Sequence, residues 1–451
     1  MSVLPPDQPS VWAAGVRRGP DGALTVNGHD VRDLARRFGT PAFVLDEADF
    51  RTRARAFRRS FAGGDVYYAA KAFLCTAVAR WVHEEGLGLD VATGGELAVG
   101  LAAGSPAEQM VFHGNNKSVA ELTRALEVGV GRFVVDSFEE IRRLAELAQR
   151  MAARPKVLVR LTVGIEAHTH EFIATAHEDQ KFGFSLASGA AMAALEAVLD
   201  AGCLDLVGVH SHIGSQIFDP SGFDVAASRA VSLLVQLRDR RAVTLPELNL
   251  GGGFGIAYVA GDDPVDVADV ARSVRSYVEH ACAAHGLPVP RLAVEPGRAI
   301  VGPSTLTLYE VGTVKPVELD GGEVRHYVSV DGGMTDNLRV ALYGADYTVV
   351  LASRVSAAQP MRTRVVGRHC ESGDIVVRDA ELPGDLRPGD LLAVAATGAY
   401  CRSMAFTYNM VGRPPVVAVP SAEADRPSDP YEILRRETET DLLALDPGVG
   451  G

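Results

Sequence analysis

The sequence predicts an α/β fold: a (β/α)8 TIM-type barrel followed by a C-terminal all-β domain of barrel or sandwich type, which the N-terminal segment joins. Two observations support it. From Asp65 onward, eight short runs rich in β-branched and aromatic residues alternate with segments whose apolar residues recur every three or four positions. After about Pro303, the runs alternate with period two between Gly, Pro and Asp turns. Strand and helix alternating in this way predict a parallel barrel.

The same patterns divide the chain into three segments. Residues 1–42 form an N-terminal segment expected to contribute to the β-domain, and "GALTVNGHDV" within it is typical of a hairpin. Residues 43–302 form the predicted barrel, and residues 303–451 form the β-domain. The one linker-like stretch is "AEADRPSDP", near residue 422.

The barrel elements follow in order along the chain. The predicted strands are "DVYYAAK", "GLGLDVAT", "MVFHG", "RFVVDS", "KVLVRLTV", "LVGVHSHIG", "ELNLGGGF" and "RLAVEPGRAIV". Helices are predicted between them, for example "LCTAVARWVHEEG", "SVAELTRALEVG" and "SFEEIRRLAELAQRMAA". The second and third of these helices begin at Ser118 and Ser137, and Glu121 and Glu140 stand where a capping box requires them.

The β-domain strands are predicted from alternating runs bounded by turn residues. These runs are "TLTLYEVGTVKPVEL", "RHYVSVDGG", "YTVVLASRV", "MRTRVVGRHC", "DIVVRD", "DLLAVAATGAY" and "PPVVAV".

Composition excludes several classes of function. A net charge of −13 without clustered Lys and Arg disfavours nucleic-acid binding. No apolar run approaches the roughly 18 residues of a membrane span, and "MSVLPPDQPS" does not resemble a secretion signal, so a cytoplasmic protein is expected. The five cysteines form no CxxC pair, which argues against a disulfide framework or a structural zinc site.

Polar residues stand at the carboxyl ends of all eight predicted strands, where the chemistry of such barrels is located. In chain order they are Lys71, Asp90, His113 with Asn115, Asp136, Arg160, His210 with His212, the glycines 251–253, and Glu295 with Arg298. Each alone is typical of a loop, but their convergence favours a functional site. Lys71 is the strongest indication of such a site, because the chain has only five lysines and a buried ammonium is costly to desolvate.

Two motifs suggest a phosphate site. Three consecutive glycines in "NLGGGFG" follow the seventh strand, and glycine lets backbone N–H groups approach an anion closely. "EPGRAIV" ends the eighth strand, where Arg298 could bind a phosphate or carboxylate, or simply pair with Glu295.

"HSHIGSQ" leaves three interpretations open. Its His-x-His could bind a metal, as in some metal-dependent barrel hydrolases, although there the pair usually follows the first strand and here it follows the sixth. A flat imidazole could instead stack on an aromatic cofactor. His210 could also be structural.

A phosphate site, an aromatic ring and a lysine amine at one barrel mouth suggest pyridoxal phosphate (PLP). Lys71 would form the Schiff base, Glu295 would keep the pyridine nitrogen protonated, and His212 would stack on the ring. The cofactor also explains the lysine, because an amine linked in this way is no longer an isolated buried ammonium. The spacing of Cys370 in "GRHCESGDIV" and of Tyr400 in "TGAYCRSMAFTYN" does not by itself predict a catalytic role for either residue.

Several motifs together resemble one family. "YYAAKAF", "LDVATGGEL", "FHGNNKS", "VVDS", "HSHIGSQI", "LGGGFGIAY", "EPGRAIVG", "CESGD" and "GAYCRSM" are similar to the meso-diaminopimelate decarboxylases, which are fold-type III PLP enzymes of bacterial lysine biosynthesis. The similarity spans residues 40 to 420, and "AHTHEFIATAHEDQKFGF" resembles actinobacterial-type members. The chain differs in Phe73, where Asn commonly follows "KA", and in "RLTVGI", where "RVNPG" is usual; both differences bear on fine specificity.

The resemblance implies roles for individual residues. The catalytic residues would be Lys71 and Cys370, with Cys370 as the proton donor, and no metal is expected. Residues that would bind PLP are Lys71, Asp90, His212, Ser215, Gly252, Gly253, Glu295, Pro296, Gly297, Arg298 and Tyr400. Residues that would bind substrate are Arg298, Arg339, Tyr343, Glu371 and Tyr400. Cys370 and Glu371 would come from the other subunit of a homodimer with shared active sites.

The implied activity is decarboxylation of meso-2,6-diaminopimelate at its D-centre to L-lysine and CO₂, the last step of lysine biosynthesis. Three alternatives stay open. They are a decarboxylase of another basic or D-amino acid (or a racemase) in the same fold, a non-catalytic PLP-binding carrier, and a metal-dependent hydrolase. Arg339 favours a substrate with a distal carboxylate, and the long β-domain argues against a carrier.

Overall fold

A computed structural model describes residues 11–164, 181–219, 221–421 and 429–449. They form two compact units. The barrel unit contains residues 53–255 and 264–299, and the β-unit contains residues 1–52, 256–263 and 300–451. Most of the linker-like stretch near residue 422 and most of the "AHTHEFIATAHEDQKFGF" segment lie outside the described residues.

The N-terminal elements begin with the expected hairpin. They are β1 (Val16–Arg18), β2 (Leu24–Val26), β3 (His29–Asp30), α1 (Val31–Phe38), β4 (Ala42–Asp46) and α2 (Glu47–Ser60). The antiparallel pairing of β2 with β3 confirms the prediction made from "GALTVNGHDV", and β1 adds a third strand to this small sheet.

The barrel unit contains all eight predicted strands. They are β5 (Asp65–Ala69), β6 (Gly88–Val91), β7 (Met110–Phe112), β8 (Arg132–Val135), β9 (Lys156–Thr162), β11 (Asp205–Ser211), β12 (Glu247–Asn249) and β13 (Arg291–Val294). All pairings are parallel, and the pairings of β8 with β9 and β13 with β5 close the barrel. A two-residue strand that the sequence did not reveal, β10 (Phe184–Ser185), pairs with β9. The interior is filled by Tyr67, Val111, Val134, Leu158, Val207 and Ala293.

The helices of this unit follow the strands. They are α3 (Thr76–Glu84), α4 (Gly94–Ala102), α5 (Val119–Glu127), α6 (Phe138–Arg150), α7 (Ala190–Asp200), α8 (Ser221–Arg241), α9 (Val267–Ala284) and α10 (Arg298–Val301). The capping box at Ser118 is confirmed. The one predicted at Ser137 is wrong in its second half, because the Glu140 carboxylate accepts from the Asp136 N–H and from Lys117 instead.

The β-unit contains the seven predicted C-terminal strands. Its elements are β14 (Thr305–Glu318), β15 (Val324–Val330), α11 (Arg339–Tyr343), β16 (Val349–Leu351), β17 (Pro360–Val366), β18 (Ile375–Pro383), β19 (Leu391–Val394), β20 (Val416–Val419), β21 (Tyr431–Leu434) and α12 (Glu439–Leu443). Strand β21 was not predicted. Strand β4 lies between β14 and β20, so Ala42–Asp46 is part of this sheet; only its first residue belongs to the predicted N-terminal segment 1–42. None of the described helices is long and apolar enough to cross a membrane.

Candidate active site

Lys71 lies just after β5, in a short 3-10 helix formed by Ala70–Ala72. Its side chain is 46% exposed, and its Nζ lies 3.7 Å from Oδ2 of Asp90 on the neighbouring strand β6. The Asp90 carboxylate is buried, and this oxygen accepts no hydrogen bond from a described residue. The amine is therefore accessible to a bound molecule while a buried carboxylate faces it.

Glu295 directly follows β13, and three side chains from other strands bind its buried carboxylate. Oε1 accepts hydrogen bonds from Nε2 of His113 and Nδ2 of Asn249, each at 2.8 Å. Oε2 accepts one from Nε2 of His210 at 3.1 Å. The two imidazoles meet edge to face, with 4.7 Å between their centroids. These contacts hold the carboxylate in one orientation.

The surroundings of Glu295 also set the charges in this cluster. Burial alone would raise the pKa of Glu295, but the charges of His113 and His210 and their hydrogen bonds hold this pKa well below its usual value. Burial lowers the pKa of His210 to about 4, although Glu295 opposes the shift. At neutral pH Glu295 is therefore ionised, and His210 is a neutral imidazole whose Nε2 proton points at the carboxylate.

The glycine run after β12 holds the ring of His212. The Gly252 N–H donates to Nδ1 of His212 at 3.2 Å. Burial, reinforced by the nearby charges of Lys71 and Arg160, lowers the pKa of His212 well below its usual value, so its ring is neutral. A Cβ at Gly252 would lie 2.3 Å from the Glu295 carbonyl oxygen, so only glycine permits this close approach.

The remaining predicted barrel residues lie around the turn after β13. Arg298 begins α10, and its Nη2 donates to Oγ of Ser215 at 2.9 Å. The Ala69 N–H donates to the carbonyl oxygen of Pro296 at 3.0 Å, which joins this turn to the end of the strand that precedes Lys71. The barrel unit thus contains the predicted residues Lys71, Asp90, His212, Ser215, Gly252, Gly253, Glu295, Pro296, Gly297 and Arg298.

This set of residues fits PLP. It combines an accessible amine opposite a carboxylate oxygen that lacks a hydrogen bond, an ionised carboxylate suited to a protonated pyridine nitrogen, and a neutral imidazole. Arg298 with the Ser215 hydroxyl, beside a run of glycines, is the kind of group that binds phosphate.

A metal-binding grouping also exists, although it is not the predicted His-x-His pair. Donor atoms of His113, His210 and Glu295 all lie within 4.8 Å of one another, the one such grouping among the described residues. His212 is not part of it. Hydrogen bonds from both histidines to Glu295 account for the arrangement without an ion.

Comparison with known proteins identifies the family. A family model described as the pyridoxal binding domain of pyridoxal-dependent decarboxylases matches residues 47–302. Diaminopimelate decarboxylase of Mycobacterium tuberculosis is 56% identical over 97% of this chain and 98% of that protein. The chain belongs to the diaminopimelate decarboxylase family.

Two further relatives of this family are similar over nearly the whole chain. The Bacillus subtilis diaminopimelate decarboxylase is 44% identical over 95% of this chain and 96% of its own length. A crystal structure of diaminopimelate decarboxylase from M. jannaschii in complex with L-lysine has a TM-score of 0.87 and 31% identity, covering 96% of this chain and 98% of that one. The predictions of a PLP-dependent carboxy-lyase and of its fold are therefore confirmed.

The other predicted residues of the family's site lie in the β-unit. Arg339 and Tyr343 belong to α11, where Arg339 is buried and Tyr343 is half-buried. Tyr400 is half-buried and has a left-handed backbone, with a φ of 60°. Cys370 and Glu371 are exposed on the turn between β17 and β18.

Sequence reasoning missed two residues that bind Glu295. His113 was noted only as a strand-end residue, and Asn249 was given no role. Asn249 also accepts the Gly251 N–H at 2.9 Å on its Oδ1, so it joins the glycine run to Glu295. The signal in the sequence that could have identified Asn249 as a site residue was its position at a strand end, directly before the glycines.

Proposed function

We propose that this chain decarboxylates meso-2,6-diaminopimelate at its D-centre and releases L-lysine and CO₂. Membership of the diaminopimelate decarboxylase family supports this, as does the L-lysine bound in the M. jannaschii structure. The observation that favours this substrate is the environment of the buried Arg339 side chain.

On the barrel side, PLP supplies, when bound, a sink for the electrons that remain after CO₂ leaves. Ionised Glu295 would keep a proton on the pyridine nitrogen, and the neutral ring of His212 would lie against the cofactor. Lys71 would hold the cofactor through Nζ until substrate arrives. The phosphate would be bound by Arg298, Ser215, and the backbone at Gly252 and Gly253.

Arg339 is a buried cation that lacks an acidic partner. Its guanidinium lies 4.3 Å from the centre of the Tyr258 ring, and Nη1 donates to the Tyr347 hydroxyl. Among the described residues, its Nε has no hydrogen-bond partner and no carboxylate pairs with it. Burial opposes the charge, but Tyr258, Tyr347 and Cys401 raise the pKa of Arg339, so the guanidinium stays protonated. A buried charge without a counter-ion is unfavourable. A distal substrate carboxylate would supply that counter-ion, whereas a diamine-forming substrate such as ornithine would not.

The β-unit would also supply the proton. Cys370 would protonate the substrate carbon after CO₂ leaves, while Tyr343, Glu371 and Tyr400 would bind the substrate. Cys370 and Glu371 stand exposed at the tip of a hairpin, which supports their insertion into the active site of a second copy. We therefore propose a homodimer with shared active sites. We also propose that the protein is located in the cytoplasm.

The first experiment identifies the cofactor, its anchor and the reaction together. Absorbance is recorded before and after borohydride, the modified peptide is mapped, and CO₂ is followed with meso-, LL- and DD-diaminopimelate, ornithine, lysine and arginine. We expect a visible band, modification at Lys71 and CO₂ from the meso isomer. Equal kcat/KM with ornithine or lysine would favour the alternative decarboxylase. A colourless protein that chelator inactivates would favour the metal-dependent hydrolase.

Shared active sites are tested by mixing two inactive variants. Lys71→Ala and Cys370→Ala chains are co-expressed, so that half of the dimers contain one copy of each. If Cys370 acts across the dimer, one site in each mixed dimer is intact, and about a quarter of wild-type activity should return. No regain of activity would contradict the proposal.

A further inference from the structure

The turn that carries Cys370 and Glu371 is exposed at its tip and buried at its base. Residues 367–374 connect β17 with β18. Cys370 and Glu371 are exposed, whereas His369 is 8% and Asp374 only 3% exposed. The mechanism above gives no role to either buried residue.

The Asp374 carboxylate binds two separate backbone segments. Oδ1 accepts the Met334 N–H at 2.6 Å, and Oδ2 accepts the His369 N–H at 2.7 Å. The Asp374 backbone contributes as well. Its N–H donates to the backbone carbonyl oxygen of Glu371 at 3.1 Å, and its own carbonyl oxygen accepts the Gly367 N–H at 3.0 Å. One residue thus ties both ends of the turn, through charge-assisted bonds that are stronger than neutral ones.

Two glycines leave the space that this carboxylate occupies. A Cβ at Gly367 would lie 2.3 Å from Oδ2 of Asp374, and a Cβ at Gly333 would lie 2.4 Å from Oδ1. A side chain at either position would displace the carboxylate. The backbone on both sides is therefore shaped around Asp374.

His369, which precedes Cys370, is also held in place by hydrogen bonds of its imidazole ring. Nε2 of His369 lies 2.8 Å from Oγ1 of Thr335, and Nδ1 lies 3.2 Å from Oδ1 of Asn409. Because an amide oxygen only accepts, Nδ1 donates to Asn409, and the other ring nitrogen lies against the Thr335 hydroxyl. Because both ring nitrogens have a partner, the His369 ring is kept from rotating.

We propose that Asp374 is a positioning residue, which sets the place of the Cys370 thiol and the Glu371 carboxylate for proton transfer and substrate binding. This inference rests on the proposed function of those two residues. A donor that must meet one face of the substrate carbon needs a turn that does not move, and a displacement of about 1 Å can cost about 100-fold in rate.

The test is Asp374→Asn, which keeps the shape but turns an amide NH₂ toward one of the two N–H donors. We expect kcat to fall roughly 10- to 100-fold, while absorbance and borohydride trapping at Lys71 stay unchanged. In D₂O the wild type should place deuterium in one configuration at the ε-carbon of lysine, and the variant should give mixed configurations. Asp379→Asn is the matched control, since Asp379 is an exposed acid of β18.

A double-mutant cycle separates positioning from general loss of stability. In a Cys370→Ala background, Asp374→Asn should lower kcat less than about twofold, because the thiol it positions is already gone, whereas a displaced Glu371 carboxylate would raise KM. Multiplicative losses, or wild-type turnover in Asp374→Asn while Cys370→Ala is slow, would overturn this inference alone. Wild-type turnover in Cys370→Ala would overturn the proposed proton donor and the inference together.

Thr335→Val provides a milder variant in case Asp374→Asn does not fold. It leaves every bond of Asp374 in place and removes the hydroxyl that binds His369. We expect a kcat loss of roughly three- to tenfold, again with mixed deuterium configurations. Wild-type kcat and a single configuration would count against the proposal.

Discussion

Glu295 in the barrel unit and Arg339 in the β-unit differ in how their buried charges are satisfied. In the barrel, Glu295 is bound by three side chains, and the buried Lys117 lies 2.6 Å from the Glu140 carboxylate. In the β-unit, no described carboxylate pairs with the buried Arg339. The charges of Glu295 and Lys117 are satisfied by side chains of the protein itself, whereas no described carboxylate pairs with Arg339.

Under the proposed function, the difference separates two tasks. Groups that tune a cofactor must be correctly charged and oriented before any substrate arrives, and preorganised groups provide this at no cost during the reaction. A group that selects a substrate is more discriminating when it stays unpaired without the correct ligand, because the wrong ligand then leaves a buried charge uncompensated.

The largest effect should come from removing the barrel amine. Lys71→Ala should lose the borohydride-trappable bond and lower turnover by on the order of 1,000-fold or more, since nothing else would anchor the cofactor covalently. Turnover and peptide mapping of the trapped product measure this. Lys156→Ala, which changes an exposed lysine at the start of β9, is the control and should behave as the wild type. Wild-type turnover in Lys71→Ala would refute the assignment.

Removing the charge of Glu295 should have the next largest effect. Glu295→Gln keeps the shape but cannot hold a proton on the pyridine nitrogen electrostatically, so kcat should fall roughly 100- to 1,000-fold. Trapping at Lys71 should persist. Steady-state kinetics of the PLP-loaded variant measure the change, and an unchanged kcat would show that the ionised carboxylate is not needed.

The buried His210 should make the stability of the protein depend on pH. Its pKa is about 4 in the folded protein and about 6.5 in an unfolded chain. Between these values the unfolded chain binds a proton that the folded state does not. This part of the stability is therefore complete above about pH 6.5 and is lost as the pH falls toward 4, by about 3 kcal/mol at most.

Denaturant unfolding at pH 7.5, 6.5, 5.5 and 4.5 measures this dependence. His210→Gln should show a smaller decline of the free energy of unfolding across that range than the wild type does. His285→Gln, at an exposed histidine, should leave the decline unchanged. Equal slopes for the wild type and His210→Gln would contradict the burial argument.

The smallest of these effects should come from Arg339, and it sharpens the contrast between the units. Arg339→Met should lower kcat/KM for meso-diaminopimelate roughly 10- to 100-fold, mainly through KM, because a charge-assisted bond to the distal carboxylate is lost. Stability should hold or rise, since an unpaired buried cation is replaced by an apolar group. Arg364→Met, where a guanidinium lies 5.9 Å from the Tyr327 ring centre, should leave KM unchanged. A marked loss of stability in Arg339→Met would show that its charge is already compensated.

The sequence predicted the strands well because their signals are local. Buried parallel strands are continuous apolar runs, and each barrel run ended at a polar residue. The two-residue β10 was too short to show a period, and β21 follows a polar stretch that indicated only a linker. Ser137 showed the spacing of a capping box, but Lys117, 23 positions before Glu140, contacts that carboxylate. A competing partner at that distance leaves no trace in a local pattern.

The sequence by itself determined the alternation of strand and helix and the placement of Lys71, His212, Glu295 and Arg298 at strand ends, because periodicity and chain punctuation depend on near neighbours. Only the tertiary structure decided which groups share a proton or a charge. Glu295 meets His113 across 182 positions of sequence, and Asp374 meets the Met334 N–H across 40. Burial and distance set the pKa of His210 and the unpaired state of Arg339, and both quantities exist only once the chain has folded.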